Sequence, residues 1–243
     1  MDPSSAASPT AWRIVAQGDR TLLVIFGAHI DMAVGQRCIA AAAALRAAGI
    51  KGISDIVPTF NTVAVHYQPR VFGANTRFKH LAAEIDKLLS SALIDHPQAI
   101  VSRQVEIPVC YGGEYGPDLS DVAAHCRLSE AEVIQLHSAT PVYVFMLGFA
   151  PGAPYMGIHD EKLAIPRRST PRTAVPAGSV AMANRQSIIY PNQLPGGWHL
   201  IGSSPIKLFD PRHEPPTLVA PGDTVRFVPI SGAEFKAMQR DQA

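Results

Sequence analysis

Cysteine is scarce in this chain. The three present, Cys38, Cys110 and Cys126, are odd in number, far apart and in no C-x-x-C pair. That argues against a disulfide framework and a cysteine zinc site, and it suits a reducing cytoplasm. Charge is sparse and balanced: 17% of residues are charged, and 21 Lys and Arg face 20 Asp and Glu. A net charge of +1 offers no basic surface for nucleic acid and no acidic tail for a basic partner. Long apolar runs are missing as well. The longest, residues 38–45, falls far short of the roughly 20 residues that cross a bilayer. The N-terminus shows no basic region followed by an apolar core, so no leader is expected. These absences point to a cytoplasmic protein with neither a membrane nor a nucleic acid partner.

The common catalytic signatures are also missing. No G-x-x-x-x-G-K-[ST] loop and no G-x-G-x-x-G after a strand occurs, so any use of ATP falls outside those two frameworks. The GGEYG segment at residues 112–116 is followed by no lysine and reads best as a tight turn between domains. His125, His137, His159 and His199 form neither H-x-x-x-H nor H-E-x-x-H, and no metal site is expected. His137 ends a helical run and reads as a hydrogen-bonded structural histidine. Ser169, Ser179 and Ser187 lie in no G-x-S-x-G elbow. No catalytic residue is assigned.

What is present, at 47% hydrophobic residues, suffices for an α+β protein with a substantial core. Residues 1–10 are small and polar and read as a disordered tail. Strands are expected at 21–27, 53–58, 62–68 and 101–109. Helices are expected at 31–48, with Asp31 as N-cap and Gly49 as stop, and at 75–93, where Phe78, Leu81, Ile85, Leu88 and Leu89 share a face. That β-α-β-β-α-β order is the ferredoxin-like arrangement, placed at residues 11–105. Residues 106–243 change character. Helices are expected at 120–126 and 129–138, the second opened by a Ser129–Glu132 capping box. Short strands follow at 143–147, 179–183, 187–190, 199–202 and 224–229, the pattern of a closed or nearly closed β-barrel. A short terminal helix is expected from Ser231.

Residues 148–210 carry the candidate site. Proline recurs every few residues there, yet the segment stays apolar between them. A disordered linker would be polar, and a helix would not survive. Rigid, turn-rich β-structure remains, a common frame for a ligand site. Arg167, Arg168 and Arg172 fall within six positions. Their planar guanidinium groups match carboxylate or phosphate. Arg172, between Pro171 and Pro176, is the first choice; the competing reading is a structural ion pair with Asp160 or Glu161. Phe149, Tyr155, Gln186, Tyr190 and Trp198 supply the apolar lining and few polar groups that small ligands need. Gln186 suits an amide, and Tyr190 a hydrogen-bond donor.

The blocks GFAPGAPYMG, PRRSTPR, VPAGSVAMA, QSIIYP and PGGWHLIGSSP-x-x-LFD resemble the allophanate hydrolase subunit 1 family. The resemblance continues upstream through residues 107–138. That family includes the B subunit of bacterial 5-oxoprolinase, KipI-type kinase inhibitors, and part of the urea carboxylase carboxyltransferase domain (subdomains C and D). The resemblance implies a cyclophilin-like barrel for the second half. It also implies a hydrolase subunit, inactive alone, acting with separate A-type and C-type subunits. The reaction implied is ATP-dependent opening of the 5-oxoproline lactam to glutamate, with ATP bound in the complex at a site the sequence does not locate. The alternatives are a carboxyltransferase component, the one reading that brings in biotin, and a non-enzymatic inhibitor of a histidine kinase. This chain departs from the family pattern at Ala153, where a phenylalanine is lost, and at Ile158 and Ile188, where glycine is replaced.

Overall fold

The computed structural model describes residues 12–72, 77–95 and 102–241. The chain forms two compact units, Met1–Val101 and Ser102–Ala243. The expected tail at residues 1–10 lies outside the described residues.

The first unit holds β1 (Arg13–Gln17), β2 (Thr21–Ile25), α1 (Met32–Ala48), β3 (Ile53–Pro58), β4 (Thr62–Tyr67) and α2 (Arg77–Ser90). Its antiparallel sheet runs β1-β2-β4-β3. Leu22, Val24, Val63 and Val65 alternate inward onto the helices. Asp31 caps α1 by accepting from Val34 N at 3.1 Å, and Gly49 ends it at φ 57°. The alanine-rich face buries Cys38, Ala41, Ala42 and Leu45. Leu81, Ile85 and Leu89 are the fully buried stripe of α2, which continues as one π turn over Ser91–Asp95.

The expected β-α-β-β-α-β order is corrected in two places. The strand read at 101–109 pairs in the barrel of the second unit, and an expected boundary after residue 105 falls inside it. The sheet edge beside β2 is taken by β1, which the sequence reading missed. β1 is a half-exposed edge strand, so its apolar alternation is weak and gives little signal.

The second unit contains β5 (Gln104–Tyr111), α3 (Leu119–Cys126), α4 (Glu130–Ala139), β6 (Val142–Leu147), β7 (Pro154–Gly157), β8 (Arg172–Val175), β9 (Ser179–Ala183), β10 (Gln186–Ile189), β11 (Leu194–Gly196), β12 (His199–Ser203), β13 (Thr224–Pro229) and α5 (Gly232–Asp241). Seven strands close a barrel in the order β10-β7-β6-β13-β5-β12-β9, and β8 and β11 form a separate ribbon. Strands β7, β8 and β11 are new to the structure; each is three or four residues long and interrupted or flanked by proline, which hides them from pattern reading. The GGEYG turn does not join domains. It leads from β5 into α3 within this unit, and a Cβ at Gly116 would collide with the Ile201 carbonyl. The Ser129–Glu132 capping box forms as expected.

A chain of polar groups crosses the apolar barrel interior. Ser187 Oγ lies 2.8 Å from His137 Nε2 and 2.8 Å from His159 Nε2, and Tyr111 Oη lies 2.8 Å from His137 Nδ1. The two imidazoles stack at 4.6 Å, and His137 stacks on Phe227 at 4.3 Å. His137 is therefore the hydrogen-bonded structural histidine the sequence suggested. Burial pushes His137 well below its ordinary pKa, and the neighbouring His159, with which it cannot share a second positive charge, adds to it. Burial, helped by the charge on Arg185, pushes His159 down to about 4. Both rings are neutral in the fold and protonate readily once exposed. The unfolded chain therefore binds more protons below pH 6.5, and stability falls as pH drops from there toward 4. Urea midpoints at pH 8, 6 and 4.5 are expected to fall modestly between the first two and more steeply to the third. The loss approaches about 3 kcal/mol for His159 alone.

Candidate functional site

Alternation along β10 gives the barrel wall two chemically different faces. Ser187 and Ile189 point inward with Met156 and Met182. Gln186, Ile188 and Tyr190 fall on the opposite face, where Ile188 and Tyr190 pack with Ala181, Ala183, Trp198 and Leu200, and Tyr155 joins them. Tyr155 and Trp198 meet edge to face with centroids 6.0 Å apart. A Cβ at Gly196 would strike the Tyr190 hydroxyl, so the phenol is seated directly on the backbone of the β8–β11 ribbon. The structure thus brings Tyr155, Tyr190 and Trp198 into one cluster and sets Gln186 on the same face of β10.

Phe149 stands apart, 60% exposed. It sits at φ 68° in the loop from β6 to β7, an uncommon backbone for a bulky residue. The loop is closed by Gly148 N donating to Ala153 O and by Ala153 N donating to Ala150 O, both at 3.1 Å. Gly152, at φ 78°, leaves only 2.7 Å between a notional Cβ and Phe209 Cβ. This segment is pinned, and pinned aromatics exposed on strained backbone are typical of functional loops. The departures from the family pattern are absorbed here: Ala153 is fully buried, and Ile188 occupies a regular strand position. The hairpin before Gln186 turns through Asn184 and Arg185 at φ 51° and 63°. Arg185 Nε donates to His159 O at 2.8 Å and holds that turn.

The arginines are organised by a residue the sequence reading missed, Asp118. Its carboxylate is buried and accepts four hydrogen bonds. Arg172 donates through Nη1 to Oδ2 at 2.8 Å and through Nη2 to Oδ1 at 2.7 Å. Arg168 Nη1 donates to Oδ1 at 3.1 Å, and Leu200 N to Oδ2 at 2.7 Å. The structural partner of Arg172 is therefore Asp118, not Asp160 or Glu161. Burial alone would raise the Asp118 pKa. The bonds from Arg172 and Leu200, with the charges on Arg172 and Arg168, outweigh it and hold the carboxyl below its ordinary value. Asp118 occupies the N-cap position of α3 but makes no cap bond, so a helix-start reading of P-D-L disguises its role. Arg167 is left exposed, its guanidinium 5.5 Å from the Trp198 ring centroid.

The description of the family model that matches residues 12–219 is carboxyltransferase domain, subdomain C and D. The chain belongs to that family. It is 39% identical over 236 residues to the B subunit of the 5-oxoprolinase of Bacillus subtilis (strain 168), covering 95% of this chain and 98% of that protein. Among solved structures it resembles TTHA0988, with TM-score 0.75 and 36% identity over 88% of this chain. It spans only 40% of the length of TTHA0988. The K. lactis urea amidolyase shares the fold at TM-score 0.77 and 18% identity, matching 95% of this chain and 15% of the amidolyase. In this subdomain C and D protein, no helix of the described residues is long and apolar enough to cross a membrane. No group of three or more His, Cys, Asp or Glu among them is placed to hold a metal ion.

Asp118→Ala strands two arginines and one amide. It is expected to lower unfolding free energy by about 2–4 kcal/mol in chemical denaturation, the partial exposure of the arginines keeping it below a fully buried pair. Arg172→Lys keeps the charge but loses the fork, and a cost of about 1–2 kcal/mol is expected.

Proposed function

We propose that this chain is the B subunit of a 5-oxoprolinase, a hydrolase complex that opens the cyclic amide of 5-oxoproline to glutamate. The observation that carries this is the end-to-end match to the B subunit of a known 5-oxoprolinase, with both chains covered almost completely. The complex pairs this chain with A-type and C-type subunits in the cytoplasm, and the chain alone is inactive. The first unit is read as a ferredoxin-like module, although its sheet takes its outer strand from the N-terminal side. The second is read as a cyclophilin-like barrel.

A lactam is resonance-stabilised, so its hydrolysis needs activation. ATP bound in the complex supplies it by phosphorylating the amide oxygen, which makes the carbon electrophilic toward water. The contribution of this chain is recognition. Gln186 and Tyr190 share the outward side of β10 with the Tyr155–Trp198 pair, a mostly apolar face with few polar groups that is largely buried in this chain. Arg168 and Arg172 are held rigid by Asp118, which lowers the ordering cost of any contact they make. Exposed Phe149 is available to partner or substrate. The family description also names carboxyltransferases, and under that second reading the same surface meets carboxybiotin and a urea-like amide.

The test is co-expression with the partner subunits, followed by assay of 5-oxoproline-dependent ATP hydrolysis. Turnover is expected from the complex and none from this chain alone. Phe149→Ser is expected to leave the unfolding free energy within about 0.5 kcal/mol of wild type, as befits an exposed site, while reducing complex turnover at least tenfold. A C-type partner that co-purifies without 5-oxoproline turnover moves the assignment to carboxyltransfer. A sensor kinase as the sole partner moves it to inhibition.

A further inference from the structure

Two buried polar atoms, Arg168 Nε and His199 Nδ1, have no protein partner among the described residues. Both residues line the same cavity of about 290 Å³, together with Arg167, Ser169, Asp121 and His125. Buried groups of this kind are almost always matched in native proteins, so a pair left unmatched beside one cavity asks for a ligand.

The two atoms are of opposite kind. His199 Nε2 lies 3.0 Å from the Pro166 carbonyl oxygen. A carbonyl only accepts, so Nε2 carries the ring proton and Nδ1 presents its lone pair. Burial lowers the His199 pKa and outweighs the opposing bond to Pro166, which keeps the ring neutral and Nδ1 an acceptor. Arg168 gives Nη1 to Asp118, while its Nε–H remains a donor without an acceptor. An amide held cis by a small ring presents N–H and C=O along one edge, the donor and acceptor that this pair lacks.

Charge narrows the ligand further. Asp118 sets one negative charge against Arg168 and Arg172, so that trio keeps a net charge of +1, and Arg167, lying over the Trp198 ring, is the cation of the lining that no carboxylate among the described residues engages. Asp121 is the one acid among the lining residues, and it opposes a multiply charged phosphate. A singly charged carboxylate is the better match for Arg167. Both orphan atoms are buried although their residues line the cavity, so binding requires a side-chain adjustment of the kind common on complex formation.

We propose that this cavity recognises a small lactam bearing a carboxylate. His199 Nδ1 accepts from the ring N–H, Arg168 Nε donates to the ring C=O, and Arg167 holds the carboxylate. The assignment rests on the 5-oxoprolinase reading and moves the lactam contacts from Gln186 and Tyr190 to His199 and Arg168.

The experiment compares the reconstituted complex carrying wild-type chain, His199→Phe or Arg167→Ala. Each is assayed with 5-oxoproline, N-methyl-5-oxoproline and 2-pyrrolidinone, and each variant's melting is recorded. In wild type, loss of the ring N–H or of the carboxylate is expected to raise KM about 10- to 100-fold, with kcat changing much less. N-methylation should cost nothing further in His199→Phe, and removal of the carboxylate nothing further in Arg167→Ala. A purely structural role would leave the analogue penalties intact in the variants. Should a variant melt early, wild type alone decides, because equal KM for the parent and N-methyl lactams overturns the His199 contact. Unchanged KM in both variants overturns the site while leaving the 5-oxoprolinase reading standing. Absence of any 5-oxoproline-dependent turnover in wild type removes both.

Discussion

The buried carboxylate of Asp118 is the constraint on which the candidate site depends. A charge taken out of water is tolerable only when its lone pairs are matched. Here four donors match them, drawn from β8, from the loop before it and from the backbone of β12. The Asp118 amide also donates to Leu200 O at 2.9 Å, so the residue is bonded to β12 through main chain and side chain alike. Three segments distant in sequence are thereby fixed to one another. With Arg168 and Arg172 committed, Arg167 is left to lie on Trp198. The prolines around these arginines reduce the freedom that would otherwise be lost in forming the cluster.

Strand β10 shows how one short segment serves both structure and site. Its inward residue Ser187 bridges two neutral histidines and satisfies polar groups that the apolar interior would penalise. Its outward residues belong to the aromatic face. A register slip of one residue would exchange the two sets, placing a hydroxyl among aromatics and isoleucine between imidazoles. The turn at Asn184 and Arg185, tied to His159 on both sides at 2.8–2.9 Å, guards that register. Ile188, where the family pattern has glycine, adds apolar bulk to the outer face without disturbing the backbone.

Local chemistry made much of this fold legible. The caps of α1 and α4, the buried stripe of α2 and the limits of β3, β9 and β13 follow from residues within a few positions of each other. The candidate site was proposed as a region, because proline and glycine among apolar residues point to rigid loops. The grouping of Tyr155, Tyr190 and Trp198 is consistent with that reading. The sheet to which residues 104–111 belong was not legible, since an apolar strand carries no mark of its partners. Nor was Asp118, which stands 50 and 54 residues from Arg168 and Arg172. His199 likewise gave no sign of its unmatched nitrogen, because that depends on which carbonyl reaches the other one.

The sequence by itself determined the helices and the longer strands, the turn-rich character of residues 148–210 and membership of a recognisable family, because propensity, capping and motif spacing act over short stretches of chain. Tertiary structure decided the pairing of Arg168 and Arg172 with Asp118, the histidine chain through the barrel and the two unmatched atoms beside one cavity. Each of these depends on where closure of the barrel brings distant residues together. Hydrogen bonds reach only about 3 Å, a distance that no spacing along the chain encodes.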